Sequence, residues 1–135
     1  MTARRGLAAL IALVLLLTGF AKLLDMPGFA AVVATYRVVP AALLQPAAWS
    51  VALGELGLAV WLLSGRALRR AAPASAALHA LYLCWAALAL LRGLPIANCG
   101  CFGVFWARPL SPATLLEDAA MIALSLLLAR MAARA

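Results

Sequence analysis

Residues 6–24 read GLAALIALVLLLTGFAKLL, an apolar run whose one charged member is Lys22. A helix needs about 20 mostly apolar residues to cross a bilayer. Three more runs close to that length follow at 47–64, 74–91 and 113–129, each bounded by charge, proline or glycine. Across the 135 residues, 68% are hydrophobic and 11% charged, and mean hydropathy is +1.09. A soluble domain is about half apolar and about a quarter charged. A soluble chain of this size could not bury so much apolar surface, so its solvent is lipid. Backbone groups in lipid must pair internally, which leaves helices or closed barrels. Barrel strands alternate apolar and polar residues. These runs are apolar all round and rich in Leu and Ala. The expected fold is therefore all-α: one domain over 1–135, an integral membrane four-helix bundle.

Charge orients the bundle. Arg4 and Arg5 precede the first span, Arg66, Arg69 and Arg70 separate the second and third, and Arg130 and Arg134 follow the fourth. Four spans put all seven on one side and leave Lys22, Arg37, Arg92 and Arg108 on the other. The positive-inside rule then predicts that both termini are cytoplasmic and that loops 25–46 and 92–112 face outward. The net charge of +7 reads as topology rather than nucleic-acid binding, because no basic patch interleaves with aromatic residues. A competing reading makes Arg4, Arg5, the apolar run and Gly19-Phe20-Ala21 a cleavable signal peptide.

The first outer loop carries its own structure. Asp25-Met26-Pro27 is a helix-start pattern. The apolar stretch from Phe29 to Val39 is too short to span, so a short helix is expected along the interface or over the bundle. Helices in lipid pack through small residues. Gly54 and Gly57 in the second span, and Ala77, Ala80, Cys84 and Ala87 in the third, are the expected contact stripes.

Two cysteines carry the candidate chemistry. Cys99 and Cys101 sit in Asn98-Cys99-Gly100-Cys101-Phe102-Gly103, on the predicted outer face, where disulfides are permitted. Gly100 allows a turn that brings the sulfurs together. A disulfide across one residue closes a small ring, and exposed strained disulfides are suited to exchange. The reduced pair also presents two thiolates to a soft metal ion. Cys84 lies roughly 10 Å below the outer boundary at about 1.5 Å per residue. It is either a packing residue or a third thiol within reach of the loop.

Ionisable groups in spans mark candidate sites. Lys22, Glu55, Glu117 and Asp118 all fall in the outer half, beneath the cysteine loop. Glu55 lies at mid-span, with no route to water; it is either functional or a structural ion-pair partner of Lys22. The lone histidine, His79, is expected to bond between helices. Arg92 and Arg108 flank the loop and either favour a thiolate or anchor the loop at the headgroups.

These residues resemble the MauE-like branch of the DoxX-like membrane proteins. The resemblance rests on Gly19-Phe20-Ala21-Lys22-Leu23-Leu24-Asp25, Phe29, and Tyr36-Arg37-Val38-Val39-Pro40. It extends to Glu55, Arg92-Gly93, Cys99-Gly100-Cys101-Phe102-Gly103, Ser111 and Asp118, and so covers nearly the whole chain. It implies a four-helix bundle in the bacterial inner membrane. It also implies a role in maturing methylamine dehydrogenase, whose small subunit is rich in disulfides, alongside a thioredoxin-like partner. The wider group is linked to quinone and thiol chemistry. By this resemblance Cys99 and Cys101 exchange with the partner, and Lys22, Glu55 and Asp118 are the matching polar positions; Cys84 lies outside the pattern.

The leading expectation is a membrane thiol–disulfide redox protein with Cys99 and Cys101 as its reactive pair. Its second electron partner is then a quinone in the bundle or Cys84. No second cysteine pair lies near the cytoplasmic loop, so exchange at the outer half is easier to draw than a relay across the bilayer. One alternative is a soft-metal transporter in which Cys99 and Cys101 capture copper or mercury. Another is a non-catalytic assembly factor.

Overall fold

The computed structural model describes residues 2–135, and its regular structure is entirely helical. Helix α1 is Ala3–Leu24, α2 is Met26–Thr35, α3 is Leu44–Ser64, α4 is Leu68–Leu91 and α5 is Pro112–Ala133. The four long helices are long and apolar enough to cross a membrane, and α2 is the short apolar helix after the first of them. The chain is thus a multi-pass membrane protein.

Local chemistry explains the boundaries. The Thr2 hydroxyl caps α1 by accepting from the Arg5 amide. Asp25 ends α1 and starts α2, its carboxylate accepting from Gly28 N at 2.9 Å, with Pro27 in the first turn. Gly65 closes α3 with φ +68°, the left-handed conformation common after a helix end. The helices are longer than the apolar runs alone. α4 starts at Leu68, so Pro73 lies inside it rather than before it. Arg69 and Arg70 extend α4 at its start, and Arg130 extends α5 at its end. Arginine is a good helix former, and a polar headgroup layer accepts it where hydrocarbon would not.

The long helices form a ring in which α1 packs on α3, α3 on α4, α4 on α5 and α5 on α1. The α1/α3 and α4/α5 pairs touch most extensively; the α3/α4 seam is looser. One end of the bundle gathers Arg4, Arg5, Arg66, Arg69, Arg70, Arg130 and Arg134. The other carries α2 and the 92–111 loop. At the arginine end the core is dry: Ile11 and Leu15 of α1, Leu62 of α3 and Leu128 of α5 are fully buried among alanines. α2 packs over the bundle, as the second of the two expected placements has it. Its Phe29 and Ala30 are buried against Ala48 and Ala52 of α3.

The expected small-residue stripes are corrected. Gly54 and Gly57 are exposed, and so are Ala77 and Cys84. Instead α3 turns Ala48, Ala52, Glu55, Ala59 and Leu62 inward, and α4 turns Ala72, Ser75, Ala76 and His79. An alanine-rich helix has small residues on several faces, so size alone does not choose one. The polar groups choose, because burying them among partners removes them from lipid.

Candidate functional site

Glu55 is 1% exposed, Lys22 is 4% exposed, and they form an ion pair at 2.9 Å. Glu55 Oε1 accepts from Lys22 Nζ at 3.0 Å and from Tyr82 Oη at 2.6 Å. Its Oε2 accepts from Lys22 Nζ at 2.9 Å and from Thr18 Oγ1 at 3.0 Å. One carboxylate therefore joins α1, α3 and α4. A buried charge is tolerable only when paired and hydrogen-bonded in this way.

Lys22 also reaches upward. Its Nζ donates to the Cys101 carbonyl at 2.9 Å. Tyr36, at the end of α2, donates its hydroxyl to the Cys99 carbonyl at 2.6 Å. The two carbonyls flanking Gly100 are thus held by side chains from separate elements. Arg92 Nη1 in turn donates to the Tyr36 carbonyl at 2.9 Å, which ties the end of α2 to the end of α4. Asn98 closes the turn from within. Its Oδ1 accepts from Gly100 N at 2.9 Å and its Nδ2 donates to the Gly103 carbonyl at 3.0 Å. Gly100 has φ +84°, and a Cβ there would stand 2.9 Å from Val32 Cγ1. Gly103 has φ +62°, and a Cβ would stand 2.8 Å from the Ala21 carbonyl oxygen. Both positions demand glycine by conformation and by space.

This scaffold brings the two sulfurs to 3.3 Å, with both cysteines as free thiols. Cys99 is 7% exposed and Cys101 is half-buried. The Cys99 thiol is lowered from its ordinary value to about 6. The chief cause is the hydrogen bond shared with the Cys101 thiol; burial opposes it, and a backbone hydrogen bond from Cys101 and the Arg108 guanidinium assist. Cys101 is pushed up, first by that same hydrogen bond and then by burial. Of the two thiols, Cys99 is therefore the readier to lose its proton. Arg108 is itself fixed by a bidentate pair with Glu117, both contacts at 2.7 Å, and stacks over Trp106 and Phe102.

Below the loop lies a cavity of about 350 Å³. Cys99, Cys101, Lys22, Tyr36, Tyr82 and Asp118 all line it, along with apolar side chains from α2, α3 and α4. A second cavity of about 100 Å³ touches Cys101, Glu55, Asp118 and His79. The structure thus gathers Cys99, Cys101, Lys22, Glu55 and Asp118 into one region. It does not gather Cys84, which is exposed on the surface of α4 and lines neither cavity. Among the described residues, no group of three or more His, Cys, Asp or Glu side chains is placed to hold a metal ion. His79 bonds within its own helix, to the Ser75 carbonyl at 2.9 Å, and not between helices. The bond between α4 and α5 is made by Ser75 and Ser125, at 2.9 Å.

Sequence reasoning missed the positioning roles of Tyr36, Tyr82, Thr18 and Asn98. Only Asn98 carried a usable signal, since Asn two residues before a glycine favours a side-chain-closed turn. No curated protein and no solved structure matches the chain. The family model described as methylamine utilisation protein MauE matches residues 2–131. With that match spanning nearly the whole four-helix chain and its Cys-Gly-Cys turn, the protein belongs to the MauE family.

Proposed function

We propose that this protein is a membrane thiol–disulfide redox protein whose working pair is Cys99 and Cys101. The observation that carries the reading is the pair itself: sulfurs 3.3 Å apart on a turn held by Lys22, Tyr36 and Asn98. Of the two, Cys99 more readily supplies the thiolate that exchange requires. The Cys99 thiolate attacks a disulfide of the partner, forming a mixed disulfide and releasing one partner thiolate. Cys101 then attacks Cys99 Sγ. The Cys99–Cys101 disulfide forms, the second partner sulfur leaves, and the Cys101 proton passes to the departing thiolates. Run backward, the same steps oxidise a partner dithiol.

The arginine distribution supports cytoplasmic termini and an extracytoplasmic cysteine loop in a bacterial inner membrane. A thioredoxin-like protein on that side is the partner this reading calls for. Methylamine utilisation then supplies the pathway, through disulfide formation in a periplasmic dehydrogenase. Replacing Cys101 by Ser is expected to trap a Cys99 mixed disulfide, seen as a shifted, reductant-sensitive band on a non-reducing gel. Full function in cells of the Cys99→Ser/Cys101→Ser double variant would instead favour a non-catalytic assembly factor. Stoichiometric copper or mercury held by the reduced protein would favour metal transport.

A further inference from the structure

Glu117 stands near the start of α5, and the thiol reading gives it nothing to do. It is one of two adjacent carboxylates there, and only the other, Asp118, lines the larger cavity. The partner of Glu117 is Arg108, held by both carboxylate oxygens at 2.7 Å. The pair is open to solvent, with Arg108 26% and Glu117 48% exposed. Ion pairs this exposed contribute little to folding. What a bidentate pair supplies is geometry, because it fixes the fork within its own plane. The rings of Trp106 and Phe102 fix the plane itself, with the guanidinium carbon 5.0 Å and 5.8 Å from their centroids.

The fixed group leaves one donor stranded. Arg108 Nε is the one buried side-chain nitrogen or oxygen without a hydrogen-bond partner among the described residues. A donor left in this way is costly. The acceptor beside it is sulfur. The Cys99 amide donates to the Arg108 carbonyl at 2.8 Å and the Leu110 amide to the Ile96 carbonyl at 3.0 Å. The two arms of the loop therefore lie side by side and set Arg108 next to Cys99. The Arg108 side chain acts on the Cys99 sulfur both as a charge and as a hydrogen-bond donor. A neutral thiol is a weak acceptor, and an ionised sulfur is a strong one. Nε is thus stranded while Cys99 keeps its proton and satisfied once the proton leaves.

We infer that Glu117 is a positioning residue for Cys99: by locking the Arg108 fork it keeps Nε–H turned to the sulfur, and so it favours the Cys99 anion although it is itself an anion. The inference rests on the thiol reading above and assigns a part to a residue that reading leaves idle. That reading uses the anion twice, as nucleophile toward a partner disulfide and as leaving group in the reverse direction. The other ionisable groups around Cys99 are Cys101 on its own turn, Tyr36 at the end of α2, Lys22 of α1, Tyr82 of α4 and Asp118 of α5, with Glu55 of α3 paired to Lys22. Burial pushes Tyr36 up, and the bond shared with Cys99 pushes Cys101 up, so Cys99 ionises before either.

The test uses the full reduced chain in nanodiscs, in a Cys84→Ser background, with iodoacetamide as probe. The rate of alkylation at Cys99 is read by mass spectrometry as a function of pH. Removing a carboxylate from the neighbourhood of a thiol ordinarily favours the thiolate and lowers the midpoint. Glu117→Gln is expected to do the reverse and raise it by roughly one pH unit, about a tenfold loss of thiolate below the midpoint. Arg108→Lys keeps the charge without the fork and should raise it too. Asp118→Asn removes the adjacent carboxylate, which is not the one that grips Arg108, and should not raise it.

A midpoint that stays or falls in Glu117→Gln overturns the inference. So does a wild-type midpoint in Arg108→Lys, since charge alone would then suffice. A rise in Asp118→Asn equal to that in Glu117→Gln overturns it as well, because loss of either carboxylate would then only disturb the loop. Exchange with glutathione disulfide is measured on the same samples. If the wild type exchanges and Glu117→Gln leaves the midpoint in place, only this inference falls; absence of exchange in the wild type strikes the thiol reading.

Discussion

The two halves of the bundle are built from the same four helices and nearly the same residue types, yet they differ in kind. The arginine half is closed and dry, with Ile11, Leu15, Leu62 and Leu128 interlocked among alanines. The cysteine half is hollow, with two cavities and a buried ion pair. Lipid tails are as apolar as leucine, so burial of leucine adds little here; close packing and internal polar bonds hold the helices. The first half holds chiefly by packing, and the second adds side-chain hydrogen bonds to the packing of α2 on α3.

The largest expected effect is on the open half. Lys22→Met leaves Glu55 buried without its cation and should cost about 3–5 kcal/mol, read by denaturant titration in mixed micelles. Adding Glu55→Leu should recover most of that loss, because the isolated charge is then gone. Recovery of nothing would mean that the ion pair is not what joins α1 to α3.

Next comes a break in the closed half. Leu62→Ala should cost about 2–4 kcal/mol by leaving a void. It should leave the alkylation profile of Cys99 unchanged, since Leu62 packs at the far end of the bundle. A shift in that profile would show that the halves are coupled.

A third measurement sharpens the contrast without unfolding anything. The rate of Cys99 alkylation should rise with pH to a midpoint near 6 and then level, because the lowered thiol is already thiolate above that value. Arg108→Gln removes an assisting cation, so its midpoint should move upward. Cys101→Ala should move it further, because the Cys101 hydrogen bond is the chief cause of the lowering.

The smallest effect belongs to Tyr36 at the end of α2. Tyr36→Phe deletes one hydrogen bond to the Cys99 carbonyl and should cost about 0.5–1.5 kcal/mol. Its clearer signature is faster hydrogen exchange at the amides of residues 98–103. No change there would show that Lys22 and Asn98 hold the turn without Tyr36.

Much of this was legible in the chain. Apolar runs of spanning length announced four helices, and Asp25-Met26-Pro27 announced the fifth. The charges Lys22 and Glu55 stood out because lipid tolerates few of them. Other features were not legible. Tyr82 sits among apolar neighbours, where a tyrosine reads as packing, and Tyr36 lies in a loop segment whose contact with the cysteine turn is set 63 residues away. The inward face of α4 was misread, because alanine recurs on every side of that helix.

Composition and charge alone determined that the chain lives in lipid, crosses it four times and carries a Cys-Gly-Cys turn at one end. That is so because hydration cost acts on each residue separately and sums along the chain. Only the tertiary structure decided that one carboxylate gathers Lys22, Thr18 and Tyr82, and that Lys22 and Tyr36 grip the carbonyls beside Gly100. Only it decided that Cys84 is left outside. These outcomes depend on distances of a few ångströms between residues far apart in sequence, and helix rotation sets such distances. Rotation is chosen by all contacts at once, so no single stretch of sequence carries it.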